Sequence, residues 1–178
     1  MHTTNDDDKL RYPIGDYKAT LFYDETKVKN EILTIRNFYE LLVNETKGLT
    51  ETDLQKTYRA NGWSIKQVVH HCADSHMNGL IRLKLALTEH QPTIKPYPEQ
   101  LFAELADTVN EPIESSLSII LGVHNRFTTL LESMNMDDFN KSYLHPQYQK
   151  EFKLYDFLGL YSWHCLHHLE HIKIAKKN

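Results

Sequence analysis

The chain has 178 residues, of which 40% are hydrophobic and 25% are charged, and its formal net charge is −4. This length and balance are typical of one globular domain and exclude a disordered or fibrous chain. The net charge is mildly negative, and the sequence has no basic run beyond Lys176 and Lys177. It therefore lacks the basic patch that a nucleic-acid-binding protein needs. We therefore expect a single domain over residues 1–178 with no nucleic-acid partner.

The N-terminal residues, the apolar stretches and the cysteines indicate the cellular compartment of the protein. Residues 1–11 are polar and include the acidic run 6–8, which differs from a basic-then-apolar secretory signal. No apolar stretch reaches the ~18 uninterrupted residues of a membrane span. The two cysteines, Cys72 and Cys165, are expected to be free and buried thiols. The sequence thus predicts a cytoplasmic protein without a membrane partner. Residues 1–11 are expected to form a flexible polar tail at its N-terminus.

Apolar residues recur at helical spacing in four long segments, which predicts four amphipathic helices. The second is expected to begin at Ser64 or Ile65, because Ser64 and Gln67 have the spacing of a capping box. Pro112 suits the first turn of the third, since proline has no N–H to lose there. The four helices are predicted at residues 25–45, 64–87, 112–134 and 154–176.

The connections between these helices are expected to be loops. Residues 91–98 contain three prolines, and residues 138–152 contain the turn dipeptide His145-Pro146. A short helix is expected near residues 99–105, and no alternating strand pattern is evident. Tyr12-Pro13-Ile14-Gly15 predicts an extended arm on the domain surface. Four long helices with two long connections predict an all-α fold, a four-helix bundle with crossover connections.

Histidine is the unusual component of the sequence. The chain has eleven, and seven of them lie in two short segments on the second and fourth predicted helices. Clustered imidazoles are typical of divalent-metal sites. These seven residues are His70, His71, His76, His164, His167, His168 and His171.

Helical phase selects an inner pair on the fourth helix. His164 and His168 are four residues apart and therefore share a face, and they lie within or beside the apolar stripe. His167 lies well away from that stripe and is expected to point outward. A third ligand must come from another helix, and phase alone leaves His70 and His71 as equal candidates. His76 and His124 are expected to be structural.

Several segments resemble the YfiT-like branch of the DinB-like family. The likeness is carried by Trp63 to Asn78, which includes the His70-His71 dipeptide, and by Gly159 to His168. Tyr12 to Gly15, Ile94 to Tyr97 and His145-Pro146 also match, so the resemblance covers nearly the whole chain.

The resemblance implies a four-helix bundle with crossovers, in which three histidines bind one divalent metal per chain. In the family motif the first ligand follows the tryptophan of the second helix by eight residues, which implies His71 here. The other two ligands fall on His164 and His168. The resemblance further implies zinc, with nickel as the alternative, and a homodimer.

Three neutral imidazoles would leave the metal its full charge and one open position, which could activate water or hold a thiolate. We expect a metal-dependent hydrolase acting on a small-molecule substrate. The alternatives are a metal-dependent thiol S-transferase, of the bacillithiol- or glutathione-transferase kind, that uses a low-molecular-weight thiol, and a non-catalytic metal-binding stress-response module. Asp74, Asp156 and Glu170 are expected to be solvated or supporting groups, so no catalytic residue is identified.

Overall fold

Four long helices form the frame of the computed structural model, which describes residues 5–19 and 23–178. The elements in chain order are α1 (Asn5–Arg11), α2 (Glu25–Thr46), α3 (Glu51–Leu54), α4 (Ile65–Thr88), α5 (Glu99–Phe102), α6 (Ala106–Asn110), α7 (Ile113–Ser133), a 3-10 turn (Asp138–Asn140), β1 (Ser142–His145), β2 (Lys150–Lys153) and α8 (Leu154–Lys177).

The long helices pack in an order that differs from their order in the chain. Helix α2 packs on α7 and α8, and α4 also packs on α7 and α8. Helices α2 and α4 therefore stand at opposite corners of the bundle, and so do α7 and α8. The segments 47–64 and 134–153 must each cross from one corner to the opposite one, which confirms the predicted four-helix bundle with crossover connections.

The start of α4 is fixed by local hydrogen bonds that the sequence predicts. The N–H of Gln67 donates to Ser64 Oγ (3.2 Å), and the N–H of Ser64 donates to Gln67 Oε1 (2.9 Å), which completes the capping box. Pro112 occupies the N-cap of α7, so this helix begins at Ile113, one residue after the predicted start. Since α4 and α8 carry the clustered histidines, the fixed start of α4 also fixes the height of its histidines in the bundle.

The segment 138–152 differs from the predicted loop, because it contains an antiparallel hairpin of β1 and β2 with Ser142 opposite Lys153. Leu144 is held by residues distant in sequence: its N–H donates to Pro92 O (2.9 Å), and its carbonyl accepts from the N–H of Ile94 (3.1 Å). Strands of four residues are too short to show an alternating pattern, and this support comes from tertiary contact.

Part of the predicted flexible tail over residues 1–11 is helical. Residues 5–11 form α1, which packs against α8. The carbonyl of Arg11 at the end of α1 lies 3.1 Å from His171 Nε2 on α8. This contact to a distant helix orders the segment, and local composition does not reveal it; residues 1–4 lie outside the described part of the chain.

The core lies between the four long helices and contains both cysteines. Cys72 and Cys165 are buried and free, as predicted. Phe38, Phe127 and Phe157 are among the largest side chains that are fully buried. Within residues 5–19 and 23–178, none of the helices combines the length and apolarity that crossing a membrane requires.

Two glycines in the middle of long helices provide a matched test of packing. A Cβ added at Gly79 of α4 would lie 2.5 Å from the ring of the buried Tyr161, whereas nothing lies within 4 Å of a Cβ added at Gly122 of α7. We expect Gly79→Ala to lower the free energy of unfolding by about 1–3 kcal/mol. Gly122→Ala should raise it by about 0.5–1 kcal/mol, because alanine loses less backbone entropy. Urea denaturation measures both, and equal effects would contradict the close approach at Gly79.

Candidate metal centre

The structure brings together three of the sequence-predicted histidines from two helices. His71 projects from α4, and His164 and His168 project from successive turns of α8. One ring nitrogen of each lies within 4.8 Å of the others. His71 Nε2 and His164 Nε2 are 3.2 Å apart, and the ring centroids of His164 and His168 are 4.4 Å apart.

These distances fit one small divalent ion. Nitrogens that coordinate zinc tetrahedrally at about 2.0–2.1 Å lie roughly 3.3 Å from one another. The 3.2 Å separation between His71 Nε2 and His164 Nε2 agrees with that spacing. Trp63 packs over His71, with ring centroids 4.6 Å apart, and over His168 at 6.4 Å. The tryptophan thus covers one side of the cluster with an apolar wall.

Burial keeps the three imidazoles neutral at pH 7. Desolvation, followed by the charge of His171, lowers the pKa of His71 to about 4. Desolvation, followed by neighbouring histidines, places the pKa of His164 and of His168 well below the ordinary value. Because a neutral imidazole keeps one nitrogen lone pair free of protons, all three rings are in the form that binds a metal.

The structure separates His70 from His71, which helical phase cannot do. His70 is buried against α7, where its Nδ1 lies 2.7 Å from Ser116 Oγ and its Nε2 lies 3.2 Å from Glu111 O. Both ring nitrogens of His70 are therefore engaged by Ser116 of α7 and by Glu111, which precedes that helix. His71 alone of the pair faces α8.

A chain of three histidines starts at His164 and ends on a backbone carbonyl. Ile35 O can only accept, so His124 Nδ1 must donate to it (2.7 Å). The neutral His124 ring then accepts at Nε2 from His76 Nδ1 (2.7 Å), and His76 accepts at Nε2 from His164 Nδ1 (3.0 Å). This order assigns the proton of His164 to Nδ1 and leaves the lone pair on Nε2, which faces His71.

His168 is supported in a similar way by a shorter chain. His171 Nε2 donates to Arg11 O (3.1 Å), so its Nδ1 is an acceptor for His168 Nδ1 at 3.4 Å. The ring of His171 is held in place by stacking on Tyr58, with centroids 3.8 Å apart. The lone pair of His168 is thereby left on Nε2, as in His164.

The prediction that His167 points outward is wrong. Its side chain is only 6% exposed, and its ring stacks on Trp163 with centroids 4.3 Å apart. The N-terminal arm covers this face of α8: Trp163 Nε1 donates to Gly15 O (3.1 Å), and the ring of Tyr12 lies 6.1 Å from that of His167. Helical phase identifies the face that packs in the bundle, but it cannot reveal a second face that the arm buries.

Two other groups in the described part of the chain have metal-ligand chemistry, and both share residues with these hydrogen-bonded chains. One joins His76 and His124 to Cys165, whose thiol stays protonated because burial raises its pKa well above the ordinary value. The other joins His167, His168 and His171. Since the nitrogens of His76, His124 and His171 are engaged with one another or with carbonyls, these groups are better suited to support His164 and His168 than to replace them.

A cavity of about 580 Å³ opens beside the three histidines. Its wall includes all three of them, and it continues along α4 past Ser75 to Arg82 and the hairpin residue His145. Glu99 is the only carboxylate among the described residues that line it. None of Asp74, Asp156 and Glu170 lines this cavity.

The profile of the DinB superfamily matches residues 35–172, a span that includes all the helices of the bundle frame in whole or in large part. The chain belongs to the DinB superfamily. The matched span also contains the three clustered histidines and the His76–His124 chain behind them.

Relatives within this superfamily have similar lengths. A Bacillus licheniformis protein named "Putative metal-dependent hydrolase" is 43% identical over 170 residues, which cover 96% of this chain and 97% of that protein. A Bacillus pumilus protein of the same name is 43% identical over 177 residues. The solved structure of YfiT from Bacillus subtilis, described as "a probable metal-dependent hydrolase with an unusual four-helix bundle topology", has a TM-score of 0.93 and 37% identity, and covers 95% of this chain and 97% of its own.

The histidine chain behind His164 predicts that a substitution at His124 moves the proton of His164 from one ring nitrogen to the other, although His76 lies between the two rings. In His124→Phe, His76 loses its acceptor and retains only His164 as a partner, so the His76 proton should move to Nε2 and the His164 proton from Nδ1 to Nε2. Long-range 1H–15N correlation spectra of the metal-free protein report both positions. His90→Phe, at an exposed histidine, is the control. A His164 that keeps its Nδ1 proton in His124→Phe would contradict the assignment.

Proposed function

We propose that this protein is a metal-dependent hydrolase that binds one divalent ion through His71, His164 and His168. The carrying observation is the convergence of three neutral imidazoles from α4 and α8 within 4.8 Å, at the wall of a cavity large enough for a small molecule. The names of the relatives in the superfamily support the reaction class.

The donor set favours zinc, with nickel as the alternative. Three imidazole nitrogens and no carboxylate match the ligands of catalytic zinc sites that keep one open position. When bound there, such an ion supplies Lewis-acid activation of a water or a thiol. The protein itself supplies orientation, since the chains ending on Ile35 O and Arg11 O hold the rings of His164 and His168.

The protein also controls access of water and substrate to this site. Trp63 covers His71 and His168 on one side, and the cavity leaves the other side open. Tyr58 and Trp163 hold His171 and His167 by stacking, so the aromatic wall continues around the cluster. A small-molecule substrate bound in this cavity would meet the imidazoles from the open side.

A specific observation favours thiol transfer as the second candidate. A carboxylate base beside the metal would assist attack by water, yet Glu99 is the only described carboxylate of the cavity wall, and it lies outside the histidine cluster. A low-molecular-weight thiol is much more acidic than free water, so it can release its proton to the solvent and attack as a thiolate without such a base. The remaining candidate is a metal-binding module without catalysis.

The cytoplasmic location and the homodimer implied by the family resemblance are further parts of the proposal, and sedimentation tests the dimer.

Metal analysis of purified protein tests the ligand assignment. We expect about one divalent ion per chain in the wild type and loss of that ion in His71→Ala, His164→Ala and His168→Ala, since two imidazoles bind too weakly. His70→Ala should retain the ion, because both nitrogens of His70 are engaged elsewhere.

His167→Ala is the sharper control, because His167 borders the cluster. It should also retain the ion. Loss of metal in His167→Ala together with retention in His71→Ala would move the site to the neighbouring group of His167, His168 and His171.

The reaction class is tested with a panel of activated esters, amides and electrophilic acceptors, with and without a small thiol. We expect turnover in buffer alone by the zinc-loaded protein, and background rates in His164→Ala, which lacks a ligand. Turnover that requires the thiol would identify a transferase instead. Absence of turnover under both conditions, with metal bound, would favour the non-catalytic module.

A further inference from the structure

The cavity beside the histidines carries a charge opposite in sign to that of the protein. The whole chain has a formal charge of −4, yet the described residues of the cavity wall include three arginines, Arg11, Arg59 and Arg82, and one carboxylate, that of Glu99. A positive cavity in an acidic protein concentrates anions at that place. The sign of the cavity therefore points to an anionic ligand.

Unused hydrogen-bonding groups are concentrated in the same cavity. Among the described residues, five buried side-chain nitrogen or oxygen atoms have no hydrogen-bond partner, and four of them belong to residues of the cavity wall. A buried polar group without a partner is costly, so a cluster of them beside a cavity indicates a polar ligand. The four atoms are Arg59 Nε, Arg82 Nε, His145 Nδ1 and His167 Nδ1.

Arg82 and His145 lie together at the end of the cavity farthest along α4 from His71. Arg82 has no carboxylate within ion-pair distance in the described structure; its Nη2 donates to Lys95 O at 3.3 Å, and its side chain also hydrogen-bonds with that of the buried Tyr161. The guanidinium carbon is 6.0 Å from the Tyr97 ring centre. His145 is 8% exposed, and burial followed by the charge of Arg82 lowers its pKa. The ring is therefore neutral and able to donate a hydrogen bond.

Arg59 differs from Arg82 in these respects. Its Nη1 lies 4.0 Å from Asp7 Oδ2 and donates to Ala60 O at 3.0 Å. Its charge is therefore partly balanced within the chain. Among the described residues, neither Arg11 nor Arg82 has a carboxylate partner, but Arg11 is exposed whereas Arg82 is half-buried.

The spacing along α4 relates Arg82 to the histidine cluster. Arg82 follows His71 by eleven residues, which is close to three helical turns and places both on one face, about 16 Å apart along the axis. Ser75, between them, also lines the cavity. One elongated molecule can therefore contact both ends.

We propose that Arg82 and His145 form a binding subsite for an anionic oxygen group, a carboxylate or phosphate, at the end of the substrate remote from the reacting centre. The guanidinium offers its unpaired Nε–H and one further N–H in the paired geometry that suits such groups. The imidazole adds a neutral hydrogen bond. This assignment rests on the proposed function only for the location of the reacting end.

The test uses the full chain with zinc added and three probes of equal chain length: a mercaptoalkanoate, a mercaptoalkyl phosphate and the neutral mercaptoalkanol. We expect one or both anionic probes to bind about ten- to a hundredfold more tightly than the alcohol, as a charged hydrogen bond predicts. They should also shift the Arg82 Nε–H resonance in 1H–15N spectra, which the alcohol should not. The anionic probe that binds more tightly, the carboxylate or the phosphate, identifies the class of ligand.

Two variants separate the subsite from general effects. Arg82→Gln should remove the preference for the anionic probes and leave the affinity for the alcohol unchanged, while Arg126→Gln, at an exposed arginine of α7 outside the cavity, should change neither. His145→Gln, which keeps a hydrogen-bond donor, should retain part of the preference. Equal affinities of anionic and neutral probes in the wild type, or an undiminished preference in Arg82→Gln, would overturn the proposal.

The same measurements distinguish this proposal from the metal assignment. In His168→Ala the anionic probes should still shift the Arg82 Nε–H resonance, because the subsite does not include that ligand. Weaker binding of all three probes in His168→Ala, with the Arg82 shift still reached at higher concentrations of the anionic probes, would support both assignments. A wild type that binds no zinc but shows the Arg82 shift would overturn the proposed function and leave the subsite supported.

Discussion

The need to place every imidazole proton of a buried histidine cluster is the constraint on which the rest of the site depends. Desolvation keeps these rings neutral, so each has one N–H that requires an acceptor and one lone pair that requires a donor. Backbone carbonyls at Ile35 and Arg11 end the two chains, and a carbonyl can only accept. The proton positions of His164 and His168 therefore depend on helix α2 and on the N-terminal segment. Both are distant from these histidines in sequence.

The crossover topology makes this arrangement possible. Since α4 and α8 are neighbours in the bundle, His71 can face His164 across one helix interface, while α7 brings His124 behind His76 from the other side of α4. Helix α2 then supplies the terminal carbonyl from Ile35. All four long helices contribute to one hydrogen-bonded unit. The orientation of the histidine rings therefore depends on the packing of the whole bundle.

The sequence predicts the parts of this protein that depend on local periodicity. The bounds of α2, α4, α7 and α8 follow from apolar spacing and from caps such as Ser64, and the pair of His164 and His168 follows from helical phase. Phase could not choose between His70 and His71, because the difference lies in their partners on other helices. The hairpin of β1 and β2 and the burial of His167 were missed for the same reason, since residues 92–94 and the N-terminal arm supply the contacts.

The N-terminal arm has a consequence for comparisons between relatives. Arg11 and Gly15 bond to His171 and Trp163, but both precede the span 35–172 that the superfamily profile covers. A superfamily member with a different N-terminal segment would keep the helices of that span and yet enclose the cluster with a different wall. Exchange of the arm between two family members would thus alter which molecules enter without altering a ligand, so the selectivity of such proteins can diverge while their most recognisable motif stays unchanged.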